Sequence, residues 1–151
     1  MAISREEAAQ LSARVYALVR ACPPGRVTTY GALGAAVGFP RGARMVGWIM
    51  NETAGHQGVP AQRVVSKDGM LTGGWAFGGK EQMRALLENE GVTFDEKGRV
   101  DMRRHAWDPA TDLDDEERAR VLTGASAIPV DPSPTLMRLL THDPASPFLE
   151  R

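Results

Sequence analysis

Apolar residues at Leu11, Val15, Leu18, Val19 and Cys22 recur at helical spacing, and Ser4 followed by Glu7 makes a capping box ahead of them. Pro23-Pro24 stops that helix, which leaves Cys22 at its buried edge. A second helix is expected to start at Thr28 or Thr29, run through Tyr30, Leu33 and Val37, and stop at Gly38. Only Phe39 and Pro40 separate it from a third helical segment, Arg41 to Asn51, where Met45, Trp48 and Ile49 keep the same spacing. Two short helices joined by a tight glycine-containing turn outline a helix-turn-helix.

The pattern then changes period. After a Gly-rich loop (Gly55, Gly58) and Pro60, Arg63-Val64-Val65-Ser66 predicts a strand, Lys67-Asp68-Gly69 a turn and Met70-Leu71-Thr72 the partner strand. Such a hairpin stands where a winged helix carries its wing. Gly73 to Gly79 is expected to be a flexible loop bearing Trp75 and Phe77, and the next helix, Lys80 to Glu90, buries Met83, Leu86 and Leu87 before Gly91 ends it. A small hairpin around Glu96-Lys97-Gly98 closes the globular part near Trp107. The expected fold is mainly α with small β hairpins, a winged helix-turn-helix over residues 1–107. From Pro109 onward lie six of the ten prolines, an acidic helix candidate (Asp114 to Leu122) and a short apolar patch at Leu136, Met137, Leu139 and Leu140. Residues 108–151 therefore form an acidic, Pro-rich C-terminal extension, expected either to pack on the protein or to stay disordered.

Composition narrows the chemistry. A chain of 151 residues suits one domain with a core that needs no disulfide or metal. Its single cysteine, Cys22, has no internal partner, and no CxxC or His/Cys cluster is present, so neither metal nor cofactor is expected and a reducing compartment is the default. His56, His105 and His142 show no triad or metal spacing. No apolar run approaches a bilayer span and the first residues lead into a helix rather than a signal peptide, so a soluble, cytoplasmic protein is expected, with no membrane partner. A monomer is also expected.

The net charge of −1 hides an asymmetry. Residues 1–105 carry 14 Lys and Arg against 10 Asp and Glu, whereas residues 106–151 carry 4 against 9. Between residues 20 and 80 the bases Arg20, Arg26, Arg41, Arg44, Arg63, Lys67 and Lys80 face only Glu52 and Asp68. That density suits a polyanion.

Four segments add specificity: Pro24-Gly25-Arg26-Val27-Thr28-Thr29-Tyr30-Gly31-Ala32-Leu33; Gly38-Phe39-Pro40-Arg41-Gly42-Ala43-Arg44-Met45-Val46-Gly47; Pro60-Ala61-Gln62-Arg63-Val64-Val65; and Leu86-Leu87-Glu88-Asn89-Glu90-Gly91. In this order and at these separations they resemble the DNA-binding domain of the O6-alkylguanine-DNA alkyltransferases, over about residues 15–107. In those enzymes the third segment reads Pro-Cys-His-Arg, and its cysteine accepts the alkyl group after the histidine helps form the thiolate. Here Ala61 stands at the alkyl-acceptor position and Gln62 at the general-base position, so no catalytic residue remains. The chain also has one leading helix in place of the family's N-terminal domain. Both departures resemble the alkyltransferase-like proteins, which bind alkylated guanines without repairing them and pass the lesion to nucleotide excision repair.

The resemblance implies a non-enzymatic damage sensor whose partners are double-stranded DNA containing O6-alkylguanine and nucleotide excision repair proteins. It implies that Tyr30, with Gly31 beside it, crowds the phosphate 3' to the target and favours rotation of the nucleotide, and that Arg44 enters the stack in place of the extruded base. Arginine is planar and rich in donors, so lysine is a poor substitute there. Gly42, Ala43 and Gly47 give the third helix a low-relief face, which in this family enters the minor groove, and Lys67 on the wing turn is a candidate phosphate contact. The implied lesion pocket lies between Pro60 to Val65 and the Gly73 to Gly79 loop: Tyr30, Pro60, Ala61, the backbone of Val64 and Val65, and Trp75. Phe77 is an alternative to Trp75, and either aromatic is equally suited to capping the core. Gln62, Arg63 and Glu90 are expected to form a structural network, while Asn51 lies near the family's hinge asparagine but out of register.

Two other functions stay open on the sequence, a winged-helix transcriptional regulator and an active-site mutant of a true alkyltransferase. The recognition helix offers few polar side chains for reading bases, and Cys22 sits on an apolar helix face, which makes a buried, inert sulfur the expectation.

Overall fold

The computed structural model describes residues 4–53, 58–125 and 132–142. Helix α1, Arg5–Ala21, opens on Ser4, whose side chain accepts the Glu7 N–H at 3.1 Å. Ser4 Oγ also donates to Glu7 Oε1 at 3.4 Å, so the two residues read as a capping box are in contact at the start of the helix. The face carrying Leu11, Val15, Leu18 and Val19 is buried, and Cys22 caps the C-terminus.

A two-residue strand β1, Thr28–Thr29, leads into α2, Tyr30–Ala36. Thr29 is the N-cap, its hydroxyl accepting the Ala32 N–H at 3.1 Å. Gly38, at φ +98°, turns the chain in a region that side chains with a β-carbon rarely occupy, and α3, Ala43–Thr53, follows. The turn is closed by Phe39 N–H to Gly34 O and Gly42 N–H to Phe39 O, both 2.8 Å. Gly42 fits under Phe39 only because it lacks a side chain: a β-carbon there would lie 2.8 Å from the Phe39 carbonyl oxygen. The helix-turn-helix predicted from spacing is therefore present.

Strand β2, Val64–Val65, pairs in parallel with β1, Thr28 opposite Val64 and Thr29 opposite Val65. This corrects the expected hairpin between Arg63–Ser66 and Met70–Thr72. The turn at Lys67–Gly69 exists, held by Ser66 N–H to Met70 O at 3.1 Å and Gly69 N–H to Ser66 O at 2.9 Å. The chain then diverges, because Gly69 packs directly on Val100, whose N–H donates to Gly69 O at 2.9 Å. The physical reason is burial on both faces. Successive side chains of a strand point opposite ways, and Val64 enters one core while Val65 enters another. Strands covered on both sides read as unbroken apolar runs and suit parallel pairing.

The first core joins α1, α2 and α3 through Val15, Tyr16, Leu33, Phe39, Met45 and Ile49. Buried Tyr16 ties α1 to α3 by donating to Ile49 O at 3.1 Å. The second gathers Val27, Val65, Leu71, Val92 and Val100 around Met83 and Leu87 of α4, Lys80–Asn89. Leu86, expected inside, is 42% exposed, since the buried stripe passes through residues 83 and 87, one turn apart. The Gly73–Gly79 segment is not a plain loop, as Gly74–Phe77 winds into a 3₁₀ turn. The small hairpin at Glu96–Gly98 is present, with a bridge between Phe94 and Val100 and Asp95 N–H donating to Arg99 O at 2.8 Å.

Beyond it come two single-turn helices, α5 (Met102–His105) and α6 (Pro109–Asp112), then α7 (Asp115–Ala125) and α8 (Pro134–His142). The acidic segment forms α7 with Asp114 as its cap, and α7 lies along α1. Helix α8 packs on α1 and α3 and places fully buried Leu136 in the first core. Gly55 and His56 lie outside the described residues, as do the side chains of Leu139, Leu140 and His142. No helix among the described residues is long and apolar enough to cross a membrane.

Candidate nucleic-acid interface

Ala61, Gln62 and Arg63 form a single 3₁₀ turn that feeds directly into β2. The turn is seated on α4 by one cluster of polar side chains. Arg63 Nη2 and Glu90 Oε2 are 2.6 Å apart, Arg63 Nε donates to Glu90 Oε1 at 3.1 Å, and Gln62 Nε2 donates to Glu90 Oε2 at 3.2 Å. Arg63 Nη1 also donates to the Cys22 carbonyl at 2.9 Å, so one guanidinium joins the end of α1, the turn and the end of α4. Donating to the Glu90 carboxylate raises the Arg63 pKa above its ordinary value, outweighing the opposite effect of burial. Both side chains are largely covered, which favours the planar two-bond geometry over a solvated pair.

The Cys22 thiol lies behind this cluster, fully buried, with its sulfur 3.6 Å from the Arg26 carbonyl. Loss of solvent pushes its pKa up to about 12, and the nearby Arg63 charge offsets only part of that effect. The sulfur is therefore a protonated thiol at neutral pH, without the thiolate that nucleophilic chemistry needs.

His105, also buried, is a structural pin. The Thr93 N–H donates to its Nε2 at 3.0 Å, which fixes that nitrogen as an acceptor and leaves Nδ1–H to donate to Gly25 O at 2.9 Å. Both ring nitrogens are thus spent on holding Gly25 and Thr93 together. Among the described residues no group of three or more His, Cys, Asp or Glu side chains is placed to hold a metal ion.

The helix-turn-helix carries an open groove of about 390 Å³. Tyr30 from the first turn of α2 and Ala43, Arg44 and Gly47 from α3 line it, so four of the sequence-selected residues meet on one surface. Trp48 and Asn51 complete the α3 side and Thr72 the far wall. The Tyr30 hydroxyl reaches that wall, lying where a β-carbon on Gly73 would be 3.2 Å away. Added β-carbons at Gly31 and Gly47 would meet nothing within 4 Å, which leaves both backbones open to close approach. Gly42 is different: it is buried against Phe39, and its smallness serves the turn.

Other selected residues lie elsewhere. Lys67 is exposed on a separate depression with Asp68, Asp101 and Arg103. Val64 and Val65 are buried with their side chains in the two cores, Pro60 and Ala61 are half-buried, and the Trp75 side chain is outside the described residues. Phe77 is half-buried against the second core. Trp48 and Asn51 follow Arg44 at helical spacing, a signal legible in the chain, whereas Thr72 reaches the groove only through the tertiary fold.

Residues 10–92 match the family described as the 6-O-methylguanine DNA methyltransferase, DNA binding domain. The chain is 38% identical over 96 residues to a DNA base-flipping protein of Escherichia coli (strain K12), covering 62% of this chain and 71% of that one. It is 34% identical over 93 residues to a bifunctional methyltransferase/endonuclease of Picrophilus torridus, a match that takes in 62% of this chain and 30% of that protein. The crystal structure of S. pombe Atl1 in complex with damaged DNA containing O6-carboxymethylguanine superposes with a TM-score of 0.56 at 29% identity. That superposition covers 66% of this chain and 96% of Atl1.

Proposed function

The chain belongs to the family of the 6-O-methylguanine DNA methyltransferase DNA-binding domain, and on that premise we propose that it is a non-enzymatic sensor of O6-alkylguanine in duplex DNA. The observation that carries this proposal is the joining of Tyr30 and Arg44 in one open groove, in a chain with alanine at the position read as the alkyl acceptor. S. pombe Atl1 is bound to damaged DNA, and the same mode of engagement is transferred here.

A guanine cannot be inspected on its O6 edge inside the stack, so the nucleotide has to rotate out, at a cost of about a few kcal/mol. Tyr30, at the N-terminus of α2, crowds the backbone beside the target, and Arg44 fills the vacated place with a planar, donor-rich group. The open backbones of Gly31 and Gly47 admit the minor groove, which is read through shape and deformability. The extruded base is received between the Pro60–Val65 segment and the 73–79 turn, with Lys67 taking a flanking phosphate.

Ala61 offers neither a lone pair nor a transferable proton. Gln62 is no base, and Glu90, which it bonds, is already engaged by Arg63. The remaining thiol, Cys22, is buried and protonated. Binding is therefore reversible, and a persistent complex that flags the lesion to nucleotide excision repair is the useful product. The protein acts as a monomer.

The test is a direct titration of two duplexes differing only in one O6-methylguanine. Tighter binding of the damaged duplex is expected, and equal affinity for both would sink the proposal. Intact-mass measurement after incubation is expected to show no methyl adduct, and an added methyl group on Cys22 would restore an enzymatic function.

A further inference from the structure

Trp48 is not used by the proposed base rotation, yet it occupies a distinctive place. It stands one helical turn after Arg44 on α3, in the series 44, 47, 48, 51 that faces the groove. The neighbouring α3 residues Met45, Val46, Ile49 and Met50 are buried in the first core. Trp48 belongs to both surfaces, half-buried, packed against that core on one side and lining the groove on the other.

We propose that Trp48 is the positioning residue that sets how deeply α3 enters the minor groove, its indole bearing on the deoxyribose faces and base edges that flank the extruded nucleotide. The inference rests on the proposed DNA-binding function. Three observations carry it. The relief of the face is low at Ala43 and Gly47, so the indole is the large apolar feature between Arg44 and Asn51. Anchorage in the core limits its rotamers, and a contact fixed in advance loses little entropy when DNA binds. Its distance from Arg44, four residues at 1.5 Å each or about 6 Å along the helix, corresponds to less than two base-pair steps. A bearing at that distance controls the height at which Arg44 meets the stack. Tryptophan suits sugar edges, having a large apolar body.

A residue acting this way affects damaged and undamaged duplexes alike and leaves phosphate contacts untouched. The experiment compares wild-type full chain with Trp48→Ala and Trp48→Phe on fluorescein-labelled duplexes carrying O6-methylguanine or guanine, over a salt series, with thermal unfolding measured in parallel. The alanine variant is expected to bind both duplexes about thirtyfold more weakly with an unchanged salt slope. The phenylalanine variant keeps the apolar body, so it is expected to retain the fold and lose only a few-fold in affinity. It is also expected to lose part of the change in tryptophan emission that DNA produces in wild type.

Wild-type affinity in a folded Trp48→Ala protein would overturn the inference. If that variant does not fold, an emission change in Trp48→Phe identical to wild type overturns it instead, since a purely structural indole never meets DNA. Wild-type discrimination between the two duplexes reports separately on the sensor function, so the two failures are distinguishable.

Discussion

Arg63 and Glu90, 27 residues apart in sequence, form a nearly covered two-bond pair: Nη2 to Oε2 at 2.6 Å and Nε to Oε1 at 3.1 Å. With the bonds to Gln62 and to the Cys22 carbonyl, it fastens the Ala61–Arg63 turn between α1 and α4. Removing one partner leaves the other charge partly covered and without its ionic hydrogen bonds. Glu90→Ala and Arg63→Ala are each expected to cost about 1.5–3 kcal/mol by denaturant unfolding. The double variant should cost less than the sum, and Arg63→Lys should recover little, since an ammonium cannot reproduce the planar fork. Additive losses in the cycle would show that the pair is not coupled.

Burial of Cys22 makes stability depend on alkaline pH. The thiol pKa is pushed up to about 12 in the folded chain, above its value when unfolded. Between pH 9 and 12 the unfolded state therefore holds fewer protons than the folded one, and stability falls as pH rises. The contribution approaches about 1.4 kcal/mol per pH unit in that window and is fully retained below it. The Cys22→Ala variant is expected to show a shallower decline in urea titrations from pH 8 to 10.5, and equal slopes would contradict the burial effect. Iodoacetamide at pH 8 should label wild type only on unfolding.

Thr28 carries the one buried side-chain oxygen among the described residues that lacks a hydrogen-bond partner. Its backbone pairs with Val64 in either variant, so Thr28→Val keeps the shape and removes an unmet desolvation cost. A gain of about 1 kcal/mol is expected in chemical unfolding. A loss would mean that the hydroxyl is satisfied in solution.

Leu136 ties the C-terminal segment to the helix that carries Arg44, because α8 packs on α3 and Leu136 is fully buried. Leu136→Ala is expected to destabilise by about 2–5 kcal/mol, the range for a cavity left by leucine. A change within experimental error would show that α8 lies loosely on the core.

Arg44 is exposed at the rim of the groove, so Arg44→Ala is expected to leave the thermal midpoint within about 1 °C while weakening binding to O6-methylguanine duplex at least tenfold. Unchanged affinity would remove the assignment. Arg44→Lys is expected to rescue poorly, since a point charge neither stacks nor presents a fork.

Much of the architecture was written in local signals. Ser4, Thr29 and Gly38 set helix ends because capping and positive φ are properties of a few neighbouring residues. The α1 stripe and the turn between α2 and α3 followed from periods of three and four residues. The 63–72 hairpin did not survive, as local alternation cannot reveal that β2 is covered on both faces and paired with residues 36 positions earlier. Leu86 was misplaced for a similar reason: a helix of ten residues fixes its stripe only when its neighbours are known.

The sequence by itself determined the helix-turn-helix and its family, together with the Ala61-Gln62-Arg63 run that feeds β2, for these depend on residue identity and short-range geometry. Tertiary structure decided which residues share a surface. It brought Tyr30 and Arg44 into one groove with Trp48 and Thr72, set Lys67 on another depression, and turned Gly42 inward under Phe39. Such groupings arise from how elements distant in sequence pack together, and close packing in a folded interior leaves little freedom once those elements meet.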